Sequence, residues 1–229
     1  MTGPALATLC EEVNGGASIG STLLFQLINL AKAIVEQKRP WMVLRYTDTS
    51  KSVTTSNTWQ TAIDLSTIAR FNRFYGEYPI RLFDGTNLVQ EYRLVPMEER
   101  LIYKDSPGTA CYDEATKTLY LNGSVAIAGT LYIRHIKDSP DIEDSDSSSW
   151  VFPSWSHPLL AFLAVGIHKG GIDYDDINAR MSQDNRAVAA QIMSMLDGWD
   201  ADKALHSIEG DDPYSNHHDG FRPNAINIR

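Results

Sequence analysis

The stretch WVFPSWSHPLLAFLAVGIHKGG, residues 150–171, decides how the chain is read. Pro153 and Pro158 fix its start. From Leu159 a helical run follows in which Leu160, Phe162, Leu163, Val165 and Ile167 leave almost no polar face before His168 and Lys169. A helix that is apolar nearly all round belongs inside a core. Gly170-Gly171 ends it, and Asp173, Asp175 and Asp176 load the start of a second helix with carboxylates. Negative charge there suits the positive end of the helix dipole. In the second helix Ile177, Met181, Val188, Ile192, Met195 and Leu196 recur at helical spacings, with Asp184 interrupting the row. The stretch up to Trp199 therefore reads as a helical hairpin with one buried and one amphipathic arm.

Towards the N-terminus, Ser21 or Thr22 can cap an earlier helix over 21–38. Leu23, Leu24, Leu27, Leu30, Ala31, Ile34 and Val35 form its apolar stripe, and Gln26, Asn29, Lys32 and Glu36 are expected to point away from the core. Lys38 and Arg39 suit its C-terminal end, and Pro40 stops it. Residues 1–20 predict a short helix around Leu6 to Val13 and then a flexible joint at Gly15-Gly16 and Gly20.

The middle of the chain reads as mainly β. Trp41 to Tyr46 is an extended apolar run, and residues 47–58 hold eight Ser and Thr among twelve positions, which suits an exposed β-connection or loop. A turn or two of helix is expected after Asp64, at Leu65, Ile68, Ala69 and Phe71. Asp84-Gly85-Thr86 is a turn signal, and Val95-Pro96 breaks whatever spans Val89 to Tyr103. From Ala110 the pattern is clearly β, with a turn at Asp113 to Lys117 and alternation of Leu131, Ile133 and His135 with Tyr132, Arg134 and Ile136. Residues 138–149 form an acidic, serine-rich loop, and 207–229 lack periodicity and read as an extended arm.

The expected fold class is α+β: a split helical bundle, early helix plus C-terminal helical hairpin, with a β-rich middle region and an extended C-terminal arm. Its helices are expected at about 21–38, 157–170 and 174–196, and its β-rich insertion at about 42–136.

Hydrophobic content of 43% and charged content of 21% are those of an ordinary globular chain. A net charge of −9 speaks against a sequence-independent clamp on nucleic acid, which needs positive surface. Cys10 and Cys111 stand far apart and read as two free thiols in a reducing compartment. No secretion leader and no membrane span are indicated, so a chain made in the cytoplasm is expected.

The search for chemistry predicts no catalytic residue, no cofactor site and no metal site. The acidic loop of Asp138, Asp141, Glu143, Asp144 and Asp146 lacks the glycine and closing glutamate of a calcium loop. His135, His157, His168, His206, His217 and His218 show no zinc-protease spacing. Neither a Gly-x-Ser-x-Gly elbow nor a phosphate-binding loop occurs. Aromatics are the remaining oddity: Trp150, Phe152 and Trp155 either anchor the β-to-α crossover in the core or form a subunit interface.

The order of elements resembles the head-to-tail adaptor (connector) proteins of tailed bacteriophages. The residues that carry the likeness are the helix Ser21 to Lys38 with Arg39-Pro40-Trp41, and the β middle ending in Thr130-Leu131-Tyr132-Ile133-Arg134. The crossover Asp138-Ser139-Pro140 with Phe152-Pro153 and the hairpin of 157–196 complete it, so the likeness spans roughly 20–200. It divides the chain into a flexible segment 1–20, an adaptor domain 21–206 and an arm 207–229.

What the resemblance implies is a structural, non-enzymatic virion protein at the capsid–tail junction. Such proteins form a ring of about twelve copies under the portal. A tail or nozzle protein docks on the ring, and double-stranded DNA passes through its channel without being read. The arm would reach the portal, with Phe221, Arg222, Pro223, Ile226 and Ile228 as its anchors. The alternatives are a neck or tail-completion protein further from the portal, or a metal-dependent hydrolase built from the acidic loop and scattered histidines.

Overall fold

A computed structural model describes residues 1–145, 150–172 and 176–207. The chain divides into two compact units, one of Met1–Leu44 with Asp138–His206 and one built on Arg45–Lys137.

The helical unit contains α1 (Gly3–Val13), α2 (Ser21–Lys38), α3 (Pro158–Ile167) and α4 (Asp176–Ser207). Proline at the start of α1 and of α3 sits where a missing N–H costs nothing and its fixed φ suits the first turn. α3 is the centre of this unit: Leu159, Leu160, Ala164 and Val165 are fully buried, and α1 and α2 both pack on it. α1 contributes Leu6 and Cys10 to that core. A π-helical turn, His168–Ile172, closes α3. α4 approaches α3 at Gly166, whose carbonyl accepts a hydrogen bond from Ser182 Oγ at 2.7 Å. A Cβ on Gly166 would stand 3.2 Å from Arg186 Cγ, so the absence of a side chain sets this close approach. Among the described residues α4 buries only Ser182, Ala189, Leu196 and Asp200, which make a narrow seam along one side of it.

The second unit is an eight-stranded curled sheet: β1 (Arg45–Val53), β2 (Gln60–Asp64), β3 (Phe71–Phe74), β4 (Ile80–Asp84), β5 (Asn87–Leu94), β6 (Thr109–Asp113), β7 (Thr118–Asn122) and β8 (Gly129–Lys137). Its order is β1-β8-β4-β5-β6-β7-β2, with β3 also paired to β8. The β5–β6 pair is parallel and the others are antiparallel, so the sheet is mixed. Leu131 and Ile133 of β8, Ile80 and Leu82 of β4, and Leu119 and Leu121 of β7 form its core. Gly123 ends β7 with φ +77°, and its N–H reaches Trp59 O and Lys104 O, each at 2.8 Å. A Cβ there would press on Pro107 at 3.2 Å, so glycine is required twice over.

The expectation of a split helical bundle with a β-rich insertion is corrected here. Among the described residues the fold is α+β with a large curled mixed sheet of eight strands and four α-helices, and no helical bundle dominates them. Two misreadings of local pattern contribute to the difference. The Ser/Thr-rich 47–58, read as a connection or loop, supplies most of β1, because Thr suits a pleated strand and an exposed face needs few apolar residues. The segment after Asp64 is a non-helical turn that delivers Phe71 to β3. The stretch from Val89, to which the sequence assigns no element, begins inside β5, which runs to Leu94, and the expected break at Val95-Pro96 follows it. The second arm of the hairpin also runs on to Ser207 instead of ending near 196.

Candidate functional site

The inner face of α2 is not the one its sequence suggests. Leu24, Leu27, Ile28, Ala31 and Val35 are buried, but so are Lys32 and Glu36, each 4% exposed. Leu30 and Ile34, expected in the core, are 48% and 46% exposed. The helix is rotated about its axis so that its charges go in and two aliphatics come out.

What draws the charges inward is the link that follows β8. Lys32 Nζ donates to Ser139 O at 2.9 Å, Pro140 O at 3.0 Å and Asp141 Oδ1 at 2.9 Å. The Glu36 carboxylate accepts from Ser139 N–H at 3.3 Å, from Ser139 Oγ, and from Trp150 Nε1 at 2.8 Å. Asn29 closes the set, donating to Ile142 O at 3.0 Å and accepting from Ile142 N–H at 2.8 Å. Residues 29, 32 and 36 thus hold 139–142 along one helix face, Lys32 and Glu36 by charge-assisted bonds and Asn29 by neutral ones. Beside it an open groove of about 490 Å³ is lined by Thr22, Phe25, Gln26 and Asn29 on one wall and Asp141 to Asp144 on the other.

The end of α2 is fixed to α4 in the same manner. Trp41 Nε1 donates to Val35 O at 2.6 Å, and the Arg39 guanidinium lies over the Trp41 ring. Asp200, fully buried, accepts from Met42 N–H at 2.7 Å and stands 3.1 Å from Arg39 Nη2. The Arg39-Pro40-Trp41 sequence is therefore a corner of the core.

With its charges turned inward, α2 presents Thr22, Gln26, Leu30, Ile34 and Gln37 outward, an exposed face without charge until Lys38. α4 has a comparable surface. Ile177 is 73% and Met195 63% exposed, and Met181, Val188 and Ile192 are half-buried along the same line. At roughly 100° per residue this line lies about a quarter-turn from the buried seam of α4. In the sheet unit Leu101 and Ile102 form a further exposed apolar pair.

The aromatic trio separates. Trp150 and Phe152 are buried, their rings 4.2 Å apart, and Phe152 meets Trp41 edge-on at 5.4 Å. Trp155 is 42% exposed and is the member that a neighbour can reach. The arm residues Phe221, Arg222, Pro223, Ile226 and Ile228 lie outside the described residues, as do His217, His218 and Asp146.

Two histidines are absorbed by the cores. His135 uses Nδ1 on Ile133 O at 3.1 Å and stacks on Phe71, and His157 uses Nε2 on Phe152 O at 2.8 Å. Burial holds both below the ordinary imidazole range. Cys10 and Cys111 are buried free thiols, and burial pushes Cys10 up to about 12. Among the described residues no group of three His, Cys, Asp or Glu side chains is placed to hold a metal ion, and no helix is long and apolar enough to cross a membrane.

No protein-family model matches the sequence, and no curated protein matches it. The outward faces of α2 and α4 were not legible as a site. The nearest signal was that Phe25 and Ile28 lie outside the apolar stripe read from α2, so apolar residues occur on more than one side of it.

Proposed function

We propose that this protein is a structural adaptor of a tailed-bacteriophage virion. Copies pack side by side into a ring of about twelve beneath the portal. The ring joins the capsid vertex to a tail or nozzle protein, and double-stranded DNA passes through it. The observation that carries the reading is the outer face of α2 from Thr22 to Gln37, uncharged and with Leu30 and Ile34 exposed on it, while Lys32 and Glu36 are buried. A free monomer gains nothing from such a face, whereas the core of a subunit interface is depleted in charge and rich in apolar contact.

Charge supports the same reading. The helical unit has seven basic against fifteen acidic residues, and residues 45–137 of the sheet unit eleven against ten. An acidic wall does not exchange counterions with passing phosphates, so DNA slides along it without being held. The function is geometric: it lies in the shape of the ring and in what each rim of it binds.

The test is the mass of the purified protein, alone and mixed with the portal ring of its phage. A portal-bound ring is expected. A stable monomer or dimer that ignores the portal would sink the assignment, and binding to tail proteins alone would move the chain to a neck or tail-completion role. Deleting 207–229 is expected to leave a folded protein that no longer attaches to portal-bearing heads; normal attachment would remove the arm from the account.

A further inference from the structure

The groove beside α2 is held open by the fold on both sides of the link after β8. Asn29 bonds both backbone groups of Ile142, donating to its carbonyl at 3.0 Å and accepting from its N–H at 2.8 Å. On the other side α1 closes on the link so tightly that a Cβ on Gly3 would overlap Glu143 O. The link is thus clamped between two helices, and Asp141, Glu143 and Asp144 stand exposed along one wall of the groove. No cation among the described residues forms an ion pair with Glu143 or Asp144. The facing wall is uncharged, with Thr22, Gln26 and Asn29 around a half-buried Phe25. Carboxylates on one side and an aromatic ring on the other fit an extended peptide that carries a cation and an aromatic.

The segment 220–229, GFRPNAINIR, has that chemistry. In a chain of net charge −9 it holds Arg222 and Arg229 and no acidic side chain, alongside Phe221, Ile226 and Ile228. We infer that this end of the arm docks in the groove of its own chain, with Phe221 against Phe25 and the Arg222 guanidinium against Glu143 and Asp144.

Reach allows it. α4 runs beside the end of α2, where Asp197 and Asp200 meet Lys38 and Arg39, and continues to Ser207. At about 1.5 Å of rise per residue, Ser207 lies roughly 30 Å from Gln26 along the helix axes. The fourteen residues from Ser207 to Phe221 extend to about 46 Å. Tethering then selects the chain's own arm over that of another copy. A linker of this kind holds its end at roughly millimolar local concentration, well above that of a second copy in solution. The consequence for assembly rests on the adaptor reading, in which Phe221 and Arg222 are also portal anchors. The arm is held back in the free protein, and the portal must draw it out of the groove before the chain attaches.

The experiment uses the full chain with two cysteine pairs, Q26C with A225C across the groove and A201C with A225C for comparison. Gln26 and Ala201 are both exposed, and Ala201 stands only six residues before α4 ends, so an undocked arm meets it at least as readily. Cys10 and Cys111 are buried and stay silent under mild oxidation. The Q26C/A225C chain is expected to close an internal disulfide about tenfold faster than A201C/A225C, at a rate independent of protein concentration. Adding E143Q and D144N, or about 0.5 M salt, is expected to slow that closure roughly fivefold. Equal rates for the two pairs, or no response to the neutralised carboxylates, overturn the inference. So does a cross-linked dimer from a mixture of Q26C and A225C chains that outpaces internal closure, because the groove then takes a neighbour's arm. Should Q26C disturb folding, T22C on the same wall serves instead. Portal binding is read separately, by mass. Portal binding without preferential closure overturns the docked arm and leaves the adaptor reading standing. Preferential closure without portal binding keeps the docked arm and removes the adaptor.

Discussion

Replacing Lys32 by methionine tests whether the inward charges of α2 hold the link after β8. The ammonium gives up three bonds, to Ser139 O, Pro140 O and Asp141 Oδ1, at 2.9, 3.0 and 2.9 Å. They are not equal. The Asp141 side chain is 75% exposed and rehydrates, so its share is below about 1 kcal/mol. The two carbonyls lose a charged donor at a buried site, which costs about 1–3 kcal/mol each. Methionine no longer needs an ammonium taken out of water, and that offsets part of the loss. The expected net cost of Lys32→Met is about 2 kcal/mol, while Asp141→Asn costs less than about 1 kcal/mol. Urea unfolding followed by tryptophan emission reads this unit, because Trp41, Trp150, Trp155 and Trp199 belong to it and only Trp59 does not. With a slope of about 2 kcal/mol per molar, Lys32→Met lowers the midpoint by about 1 M at unchanged slope. A midpoint within about 0.3 M of the parent, or an equal loss from Asp141→Asn, would show that the link is held by something else.

Stability should fall as pH drops through about 6.5, since His135 and His157 have lowered folded values and the unfolded chain then binds more protons. His135→Phe should flatten that slope between pH 7 and 5, and an unchanged slope would refute the assignment. Asp200→Ala strips the acceptor from Met42 N–H and the buried partner from Arg39, and is expected to cost about 2–4 kcal/mol by the same unfolding assay. Gly166→Val should cost about 1–3 kcal/mol by forcing α4 off α3, and a neutral result would mean the helices do not meet there. Thiol reagents at pH 8 should label neither cysteine until the chain unfolds, Cys10 having both no access and a raised pKa.

How far the sequence could be read differs from element to element. The reading of α3 needed no partner: a helix without a polar side has only one place to go. The reading of α2 failed in orientation for a physical reason. A lysine and a glutamate were placed towards water, yet the carbonyls of 139 and 140 and the indole of Trp150, more than a hundred residues away, supply what water would have given. Nothing in an eighteen-residue window announces such a partner. The sheet was hidden for a related reason. β8 pairs with β1, β3 and β4, three strands distant from it in sequence, and β5 meets β6 in parallel. Alternation can suggest a strand but not its neighbours. Of the interface residues read from the sequence, Trp155 faces out and Trp150 and Phe152 face in, because a bulky apolar run reads alike in either role.

The pairing of Arg45 with Ile136 has a consequence for how the chain folds and diversifies. The first and last strands of the sheet unit are neighbours, so the chain leaves the helical unit and returns to it within about one strand spacing. Once β1 and β8 have paired, everything between them acts as a short hairpin towards the helices, and α2 can meet α3 without the entropy of closing a long loop. A module joined at two adjacent points can also be exchanged, lengthened or replaced by a tight turn while the helical scaffold keeps its shape. Rapid variation would then concentrate between residues 45 and 137, and the helices would record common descent.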